Sequence, residues 1–492
     1  MLGASAPWTA RVRAFGLPAA LLALAAAVRA FQISRESVWV DEALSVRLAR
    51  LSWPALVAGT GEDGHPPLYL ALLHVWIACF GTSEAAIRSL SAVLGVLAVA
   101  AVYALGRLWF DHATGLCAAL LVALSPYHIY YSQEARNYSL LVLTSALSYL
   151  GLALLRQRPG RAASAFYVLA TISMLYTHVF GFFTWIAQNV YVLWIDGGRS
   201  GPARRKWIAL QAMVIAALVP WVWGPWARRL IAQASPATTA LRLARPTLGA
   251  MPAAILAYTG TPLGFLLTAP WAVAESWRAL RARWRRRAVA GAGPEAQGDE
   301  AALLLVLGVA IPHLVPFVYS QLRVPIYLTR ATIGALPPFY LLVARALVRR
   351  RPWGAVGAAA IVLSALAAQH AYSKLVSKEQ WRDVAKTVDG FAQTGDLVVF
   401  DPGYGAEGFD FYSRRRDLRH ARLAADLVTP AGMDELSRAR GDAGRVWVVR
   451  LQRPHDDDAV MRALADAYVP VNSERYAGID LYLFRRRPRP AP

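Results

Sequence analysis

Pro66-Pro-Leu-Tyr-Leu-Ala-Leu-Leu-His-Val-Trp-Ile-Ala-Cys-Phe80 is an apolar run of 15 residues with His74 inside it. A bilayer span needs roughly 20 residues, so this run is too short to be read as one without further argument. Its status decides the side of every later loop. Around it, eleven stretches approach span length and are expected as about eleven transmembrane helices: 14–33, 87–107, 112–130, 137–155, 162–178, 180–196, 207–226, 252–275, 301–319, 327–347 and 353–371. Lys and Arg near span ends favour the cytoplasmic side. If 66–80 lies in the interface, the clusters Arg11/Arg13, Arg107, Arg156/Arg158/Arg161, Arg199/Arg204/Arg205/Lys206, Arg278 to Arg287 and Arg345 to Arg351 all fall inside. If it crosses, all but the first fall outside. The pattern therefore predicts a cytoplasmic N-terminus, an outer C-terminus, and 66–80 as an interfacial helix on the outer face.

Composition agrees with a membrane chain. Of 492 residues, 56% are hydrophobic and 17% charged, with a mean hydropathy of +0.35. Soluble domains are less apolar and more charged. The net charge of +21 suggests nucleic acid until its distribution is followed. Residues 1–372 carry +19 of it, with 31 Arg to one Lys, and residues 373–492 carry +2. The excess belongs to the membrane part, which excludes a basic nucleic-acid tail and a disordered chain. Cys79 and Cys117 sit in apolar stretches and offer neither a disulfide framework nor a thiolate metal site. No A-x-A cleavage site follows 14–33, so that stretch reads as the first span and not as a signal peptide.

Past residue 372 the pattern changes. Lys374 to Ala392 has helical spacing, and Asp396-Leu-Val-Val-Phe400, Arg445 to Arg450 and Ile479 to Phe484 read as short strands. A helix is expected near 457–468, with His455 and Asp456-Asp457-Asp458 before it as an N-terminal cap in preference to a metal set. The expected organisation is a polytopic α-helical membrane domain over 1–372 with a first outer loop at 34–86. A small extracytoplasmic α/β domain at 373–484 and a polar tail at 485–492 follow. The chain has no G-x-x-x-x-G-K-[ST] motif.

With that topology, chemistry-bearing residues gather on the outer face. Trp39-Val-Asp41-Glu42-Ala-Leu-Ser45 puts two carboxylates side by side, and neighbours on a helix diverge by about 100°, so one at most faces a given site. Asp41 is the candidate for that one; Glu42 is left to cap the helix or bind an Arg. Gly61-Glu62-Asp63-Gly64-His65-Pro66-Pro67-Leu68-Tyr69 makes a rigid polar turn. Glu62, Asp63 and His65 are its candidate ligands for a divalent cation, a weak set because it holds one His. Ser132-Gln-Glu134-Ala-Arg136-Asn-Tyr138 lies at the outer end of another span. Arg88, Arg136, Arg323 and Arg330 lie near Tyr, His or acidic residues. Cations at outer span ends either serve a site or snorkel to lipid headgroups.

The order Asp41-Glu42, His65-Pro66-Pro67-Leu68-Tyr69, Arg88-Ser-Leu-Ser-Ala-Val-Leu-Gly and Ser132 to Tyr138 resembles glycosyltransferase family 39. That family comprises protein O-mannosyltransferases and the bacterial enzymes that decorate lipid A with aminoarabinose or galacturonic acid. The resemblance is best over 35–140. It implies the class C glycosyltransferase fold and transfer of a sugar from a polyprenyl-phosphate donor to an envelope acceptor outside a bacterial inner membrane. It also implies Asp41 as catalytic base, His65 and Arg88 at the donor, and Glu134 as the acid of the second outer loop. Arg136, Arg323, Arg330 and Tyr138 are the remaining donor-site candidates. Family members with a metal or a Lys beside the donor phosphate carry other residues where Gly64-His65 stands, so no cofactor is fixed.

The chemistry is coherent without the resemblance. Nucleotide sugars are cytoplasmic, so an outer-face transferase needs a lipid-linked donor. The leaving polyprenyl phosphate is an anion and needs no general acid, so one carboxylate base suffices, with Arg to hold the phosphate. Displacement of this kind inverts the anomeric centre. A transporter of a lipid-linked anion would use the same groups as a path, and a scaffold would explain the C-terminal domain alone. The scarcity of ionisable residues within the spans favours the transferase.

Overall fold

The computed structural model describes residues 16–195, 201–224, 244–286, 294–375, 378–424, 429–451 and 464–488. The chain forms two compact units. One takes the chain up to Ile33 and then Ala49–Lys374; the other takes Ser34–Leu48 and the chain from Leu375.

The first unit is all helical, and each of the eleven apolar stretches falls on helix. Among the described residues six helices are long and apolar enough to cross a bilayer: Glu84–Trp109, Tyr138–Gln157, Ala203–Val222, Gln297–Leu322, Thr329–Arg349 and Trp353–Tyr372. Two bent pairs bring the number to eight if each is one span, fewer than the eleven expected. Leu17–Ala30 and Arg161–Leu175 are shorter, and residues 66–80 form the separate helix Leu68–Phe80.

The stretch 252–275 is not one continuous span. Ala250–Thr259 ends at Gly260, and a second helix starts at Pro262 with its axis turned by 104°. Gly260 has φ 78°, the left-handed cap geometry that ends a helix, and the missing N–H of Pro262 is harmless in a first turn. Residues 112–130 also break, by 61°, at Ser125. The two breaks pack on each other. Ser125 Oγ donates to Tyr258 O at 2.9 Å, and a Cβ on Gly260 would stand 2.7 Å from Pro126 Cγ. Hydropathy sums over both breaks because the residues stay apolar through them.

The second unit has a five-stranded sheet: β1 Leu397–Asp401, β2 Arg419–Arg422, β3 Arg445–Leu451, β4 Tyr468–Tyr476 and β5 Ile479–Arg486. The order is β2-β1-β3-β5-β4, with β1 parallel to β2 and β3, and β5 antiparallel to β3 and β4. Alternation splits the core. Val398, Phe400, Trp447 and Val449 pack with Trp381, Val388 and Phe409 on one face; Val399, Val446, Val448 and Phe484 pack with Leu436 and Leu464 on the other. The sequence pattern does not announce β2 and β4. They are the edges: β2 reads Arg-His-Ala-Arg, and β4 is mostly exposed with a register shift between Pro470 and Asn472. The helix expected from Lys374 starts at Trp381. His455, Asp456–Asp458 and most of the helix near 457–468 lie outside the described residues, as do Arg11, Arg13, Arg199 and Arg287.

The first-loop segment is part of this second core. Val40 joins the cluster of Trp381 and Phe400, and the Val38 N–H donates to Tyr412 OH at 2.6 Å. Arg382 Nη2 donates to Ser34 O at 3.1 Å, and Arg47 pairs with Glu407 at 2.8 Å. A break in the sequence at residue 372 therefore separates chain segments, but not the packing of Ser34–Leu48.

Candidate functional site

Asp41 and Glu42 occupy the first turn of helix Val40–Ala49, and the divergence of neighbours on a helix sends them to different surroundings. Glu42 is fully buried. Its Oε2 accepts from the Trp39 N–H at 3.4 Å, the reach-back bond of a helix-capping glutamate, and stands 3.4 Å from Lys378 Nζ. Asp41 is half-buried, and its carbonyl accepts from Ser45 Oγ at 2.9 Å. Glu379 adds a third carboxyl, which burial raises above its ordinary range; the charge of Asp41 acts in the same direction, against donation from Trp381 and Val40. Sequence reading did not single out Lys378 or Glu379, since neither belongs to a local motif.

Within the membrane unit, three breaks between helices build a polar cluster. Helix Trp53–Asp63 stops at Gly64, whose φ of 71° turns the chain so that Asp63 and His65 follow different paths. Asp63 Oδ1 pairs with Arg136 Nη1 at 2.5 Å, both side chains about 5% exposed (5% and 6%). The His65 ring lies 4.6 Å from that of His178, which sits in the turn before helix Gly181–Val190. Tyr138 lies 6.1 Å beyond His178, and Tyr131 lies 4.5 Å from Tyr138. Arg330, on the short 3-10 helix Thr329–Ala335, acts electrostatically on His65, His178 and Tyr131.

His65 is the informative member. Its Nδ1 is buried and has no hydrogen-bond partner among the described residues, unusual for a polar atom inside a folded chain. Burial, then the positive charges of Arg136 and Arg330, hold the imidazole well below its ordinary range, so it is neutral at pH 7. His178 Nδ1 accepts from the Phe180 N–H at 3.0 Å, which leaves its proton on Nε2 when neutral. A neutral imidazole, two arginines and two tyrosines in poorly hydrated surroundings suit an anionic oxygen ligand.

The other candidates are placed as follows. Glu134 is fully buried in the turn after helix Pro126–Ser132, and its charge acts on Tyr130 and Tyr131. Arg88 is buried, and its Nη1 donates to Ile33 O at 3.0 Å, tying the chain past the first helix. Arg323 lies exposed just past helix Pro294–Leu322. Two contributors escaped the sequence reading. His178 was absorbed into the end of an apolar stretch, although Thr177-His178 at a helix break was a visible signal. Arg29, fully buried in the last turn of helix Leu17–Ala30, is held by Ser132 Oγ, the carbonyls of Ala25, Ala123 and Val122, and His128 Nδ1.

The Glu62–Asp63–His65 metal set does not assemble. Asp63 is taken up by Arg136, Glu62 is exposed, and no three His, Cys, Asp or Glu side chains among the described residues form a metal set.

Residues 64–226, a third of the chain, match the family model described as dolichyl-phosphate-mannose-protein mannosyltransferase. The match falls on the family that the motifs resemble. No curated protein sequence matches the chain. Among solved structures, ArnT from Cupriavidus metallidurans in the apo state is similar over 96% of this chain and 98% of its own, with 15% identity and a TM-score of 0.63. The same enzyme bound to undecaprenyl phosphate is similar over 95% and 98%, with 14% identity and a TM-score of 0.61. The oligosaccharyltransferase AglB from Archaeoglobus fulgidus, in complex with an inhibitory peptide and a dolichol-phosphate, is similar over 97% of this chain and 74% of its own, at 12% identity and a TM-score of 0.55. These likenesses establish the class C fold.

Proposed function

We propose that this chain, a membrane glycosyltransferase of class C fold related to the mannosyltransferase family over residues 64–226, moves a sugar from a polyprenyl phosphate to an acceptor of the bacterial envelope. The observation that carries the donor reading is the buried, partnerless Nδ1 of His65 beside Arg136 and Arg330. Arg136 shares its charge with Asp63, so Arg330 takes the larger part of the phosphate charge. Tyr131 and Tyr138 supply hydroxyl donors. An apolar cavity of about 520 Å³, walled by Met251, Phe265, Trp277, Val306 and Phe339 with His313 as a polar member, offers room for an isoprenoid tail.

In the reaction the acceptor oxygen bonds to the anomeric carbon as the bond from that carbon to the phosphate oxygen breaks. Asp41 takes the acceptor proton, and the polyprenyl phosphate departs as an anion with inversion at carbon. Glu42, spent on Lys378 and the Trp39 N–H, is not the base. The reaction takes place on the outer face of the inner membrane, with the N-terminus inside and the β-sheet unit outside, because the Arg clusters favour that sidedness.

The test is turnover by the purified full chain in nanodiscs with synthetic polyprenyl-phosphate sugars, read as release of polyprenyl phosphate. Mass spectrometry of envelope lipids and glycans with and without the gene identifies sugar and acceptor. Release of polyprenyl phosphate together with a glycosylated product supports the reading. Movement of intact donor across the bilayer with no product would replace it with transport.

A further inference from the structure

A second cavity lies at the far ends of the membrane helices from the histidine–tyrosine cluster. Helix Tyr138–Gln157 begins at Tyr138 in that cluster and reaches the cavity at Leu152, Leu155 and Arg156. Tyr138 and Arg156 are thus separated by about 27 Å of helix. The cavity encloses about 290 Å³. Its walls are apolar: Leu152, Leu155, Val192, Leu193, Trp207 and Leu210. Its remaining lining includes Arg156, Arg204 and Lys206, and among the described residues no acidic one lines it.

The three cations differ. Arg156 is already engaged, by Glu300 at 3.0 Å and by the ring of Tyr191 at 5.2 Å. Arg204 and Lys206 are exposed near the start of helix Gly201–Val222, where the helix dipole adds positive potential. Trp207 fixes the wall between them: it is buried and its Nε1 donates to Asn189 Oδ1 at 3.0 Å.

Apolar walls below a cationic rim select an amphipathic anion. A soluble phosphate would leave the leucine walls unused, and a neutral lipid would leave the cations unanswered. We propose that this cavity is a binding site for an anionic phospholipid of the phosphatidylglycerol class, its phosphodiester between Arg204 and Lys206 and the upper part of one acyl chain against Leu155, Leu193 and Trp207. The site is separate from the donor cluster and does not depend on the catalytic reading.

The experiment uses the full chain, purified in detergent and titrated with phosphatidylglycerol against phosphatidylcholine, with bound lipid counted by native mass spectrometry. Arg204→Gln/Lys206→Gln is the test variant, since both residues are exposed. Arg281→Gln/Arg283→Gln is the control, removing two cations from another helix end. Each removed cation is expected to weaken phosphatidylglycerol binding about fivefold, so the test variant loses on the order of 25-fold. The control should bind as the wild type does. Equal retention of the two lipids by the wild type overturns the proposal, as does an unaltered test variant or an equal loss in the control. Preferential binding of polyprenyl phosphate over equimolar phosphatidylglycerol by the wild type, with the bound polyprenyl phosphate itself lost from the test variant, also overturns it and assigns the cavity to the carrier lipid.

Discussion

Lys378 Nζ stands 3.4 Å from Glu42 Oε2, a buried ion pair between residues 336 positions apart. The pair fixes the start of the helix that carries Asp41. It thereby separates two adjacent carboxylates into one that holds structure and one left half-buried.

Lys378→Met should destabilise the β-sheet unit, because it removes a cation paired with the buried Glu42 carboxylate. Breaking a buried pair from one side typically costs about 3–5 kcal/mol. The double variant Glu42→Gln/Lys378→Met should recover part of that loss. Thermal unfolding of the purified chain measures both. A single variant as stable as the wild type would show that the pair contributes nothing.

Asp41→Asn should leave the unfolding temperature and donor affinity near wild type while turnover falls by about 10²–10⁴, the usual effect of losing a general base. Asn keeps the shape of Asp and one accepting oxygen but cannot take up the proton. Near-normal turnover would remove Asp41 from the reaction.

Arg330→Gln should weaken donor binding with little effect on folding, since Arg330 sits half-buried on a short helix. Arg136→Gln should act differently: it strands the buried Asp63 and lowers stability as well. Isothermal titration with a polyprenyl-phosphate sugar, alongside unfolding curves, separates the two patterns. Identical affinities in Arg330→Gln and wild type would return Arg330 to a lipid-facing role.

Stability should fall as the pH drops below about 6.5. His65 stays neutral in the folded chain because burial and then Arg136 and Arg330 lower its pKa, whereas the unfolded chain takes up the proton. The unfolded state then binds more protons, so the loss begins near the unfolded pKa and grows as the pH falls, by at most about 1.4 kcal/mol per pH unit for one histidine. His65→Asn should reduce the dependence of unfolding temperature on pH between 7 and 5.5 by the share of one histidine, leaving that of His178, whose pKa burial lowers in the same direction. The same slope in both proteins would mean that His65 does not titrate as its surroundings dictate.

Much of the architecture was legible because its signals are local. Hydropathy placed helix at the eleven stretches, though only six to eight of the described helices are long and apolar enough to span, and the apolar pattern located β1, β3 and β5, since spans and central strands are uniformly or periodically apolar. Of the ordered motifs that resemble the glycosyltransferase family, those from His65 to Tyr138 fall within the residues that the family model matches, and Asp41-Glu42 lies outside them. β2 and β4 were not legible: edge strands need no apolar alternation.

The sequence by itself determined that the chain spans a membrane with helices, ends in a small α/β domain and carries the acid, His-Pro-Pro and Arg signals of a class C glycosyltransferase. Tertiary structure alone decided that Ser34–Leu48 packs in the second core, that Glu42 meets Lys378, and that Asp63 pairs with Arg136. It also decided that His178 stacks on His65 and that the stretch 252–275 turns at Gly260. The reason is range. Hydropathy and periodicity register what a residue does with neighbours a few positions away, whereas burial of a charge depends on which distant side chain reaches it first.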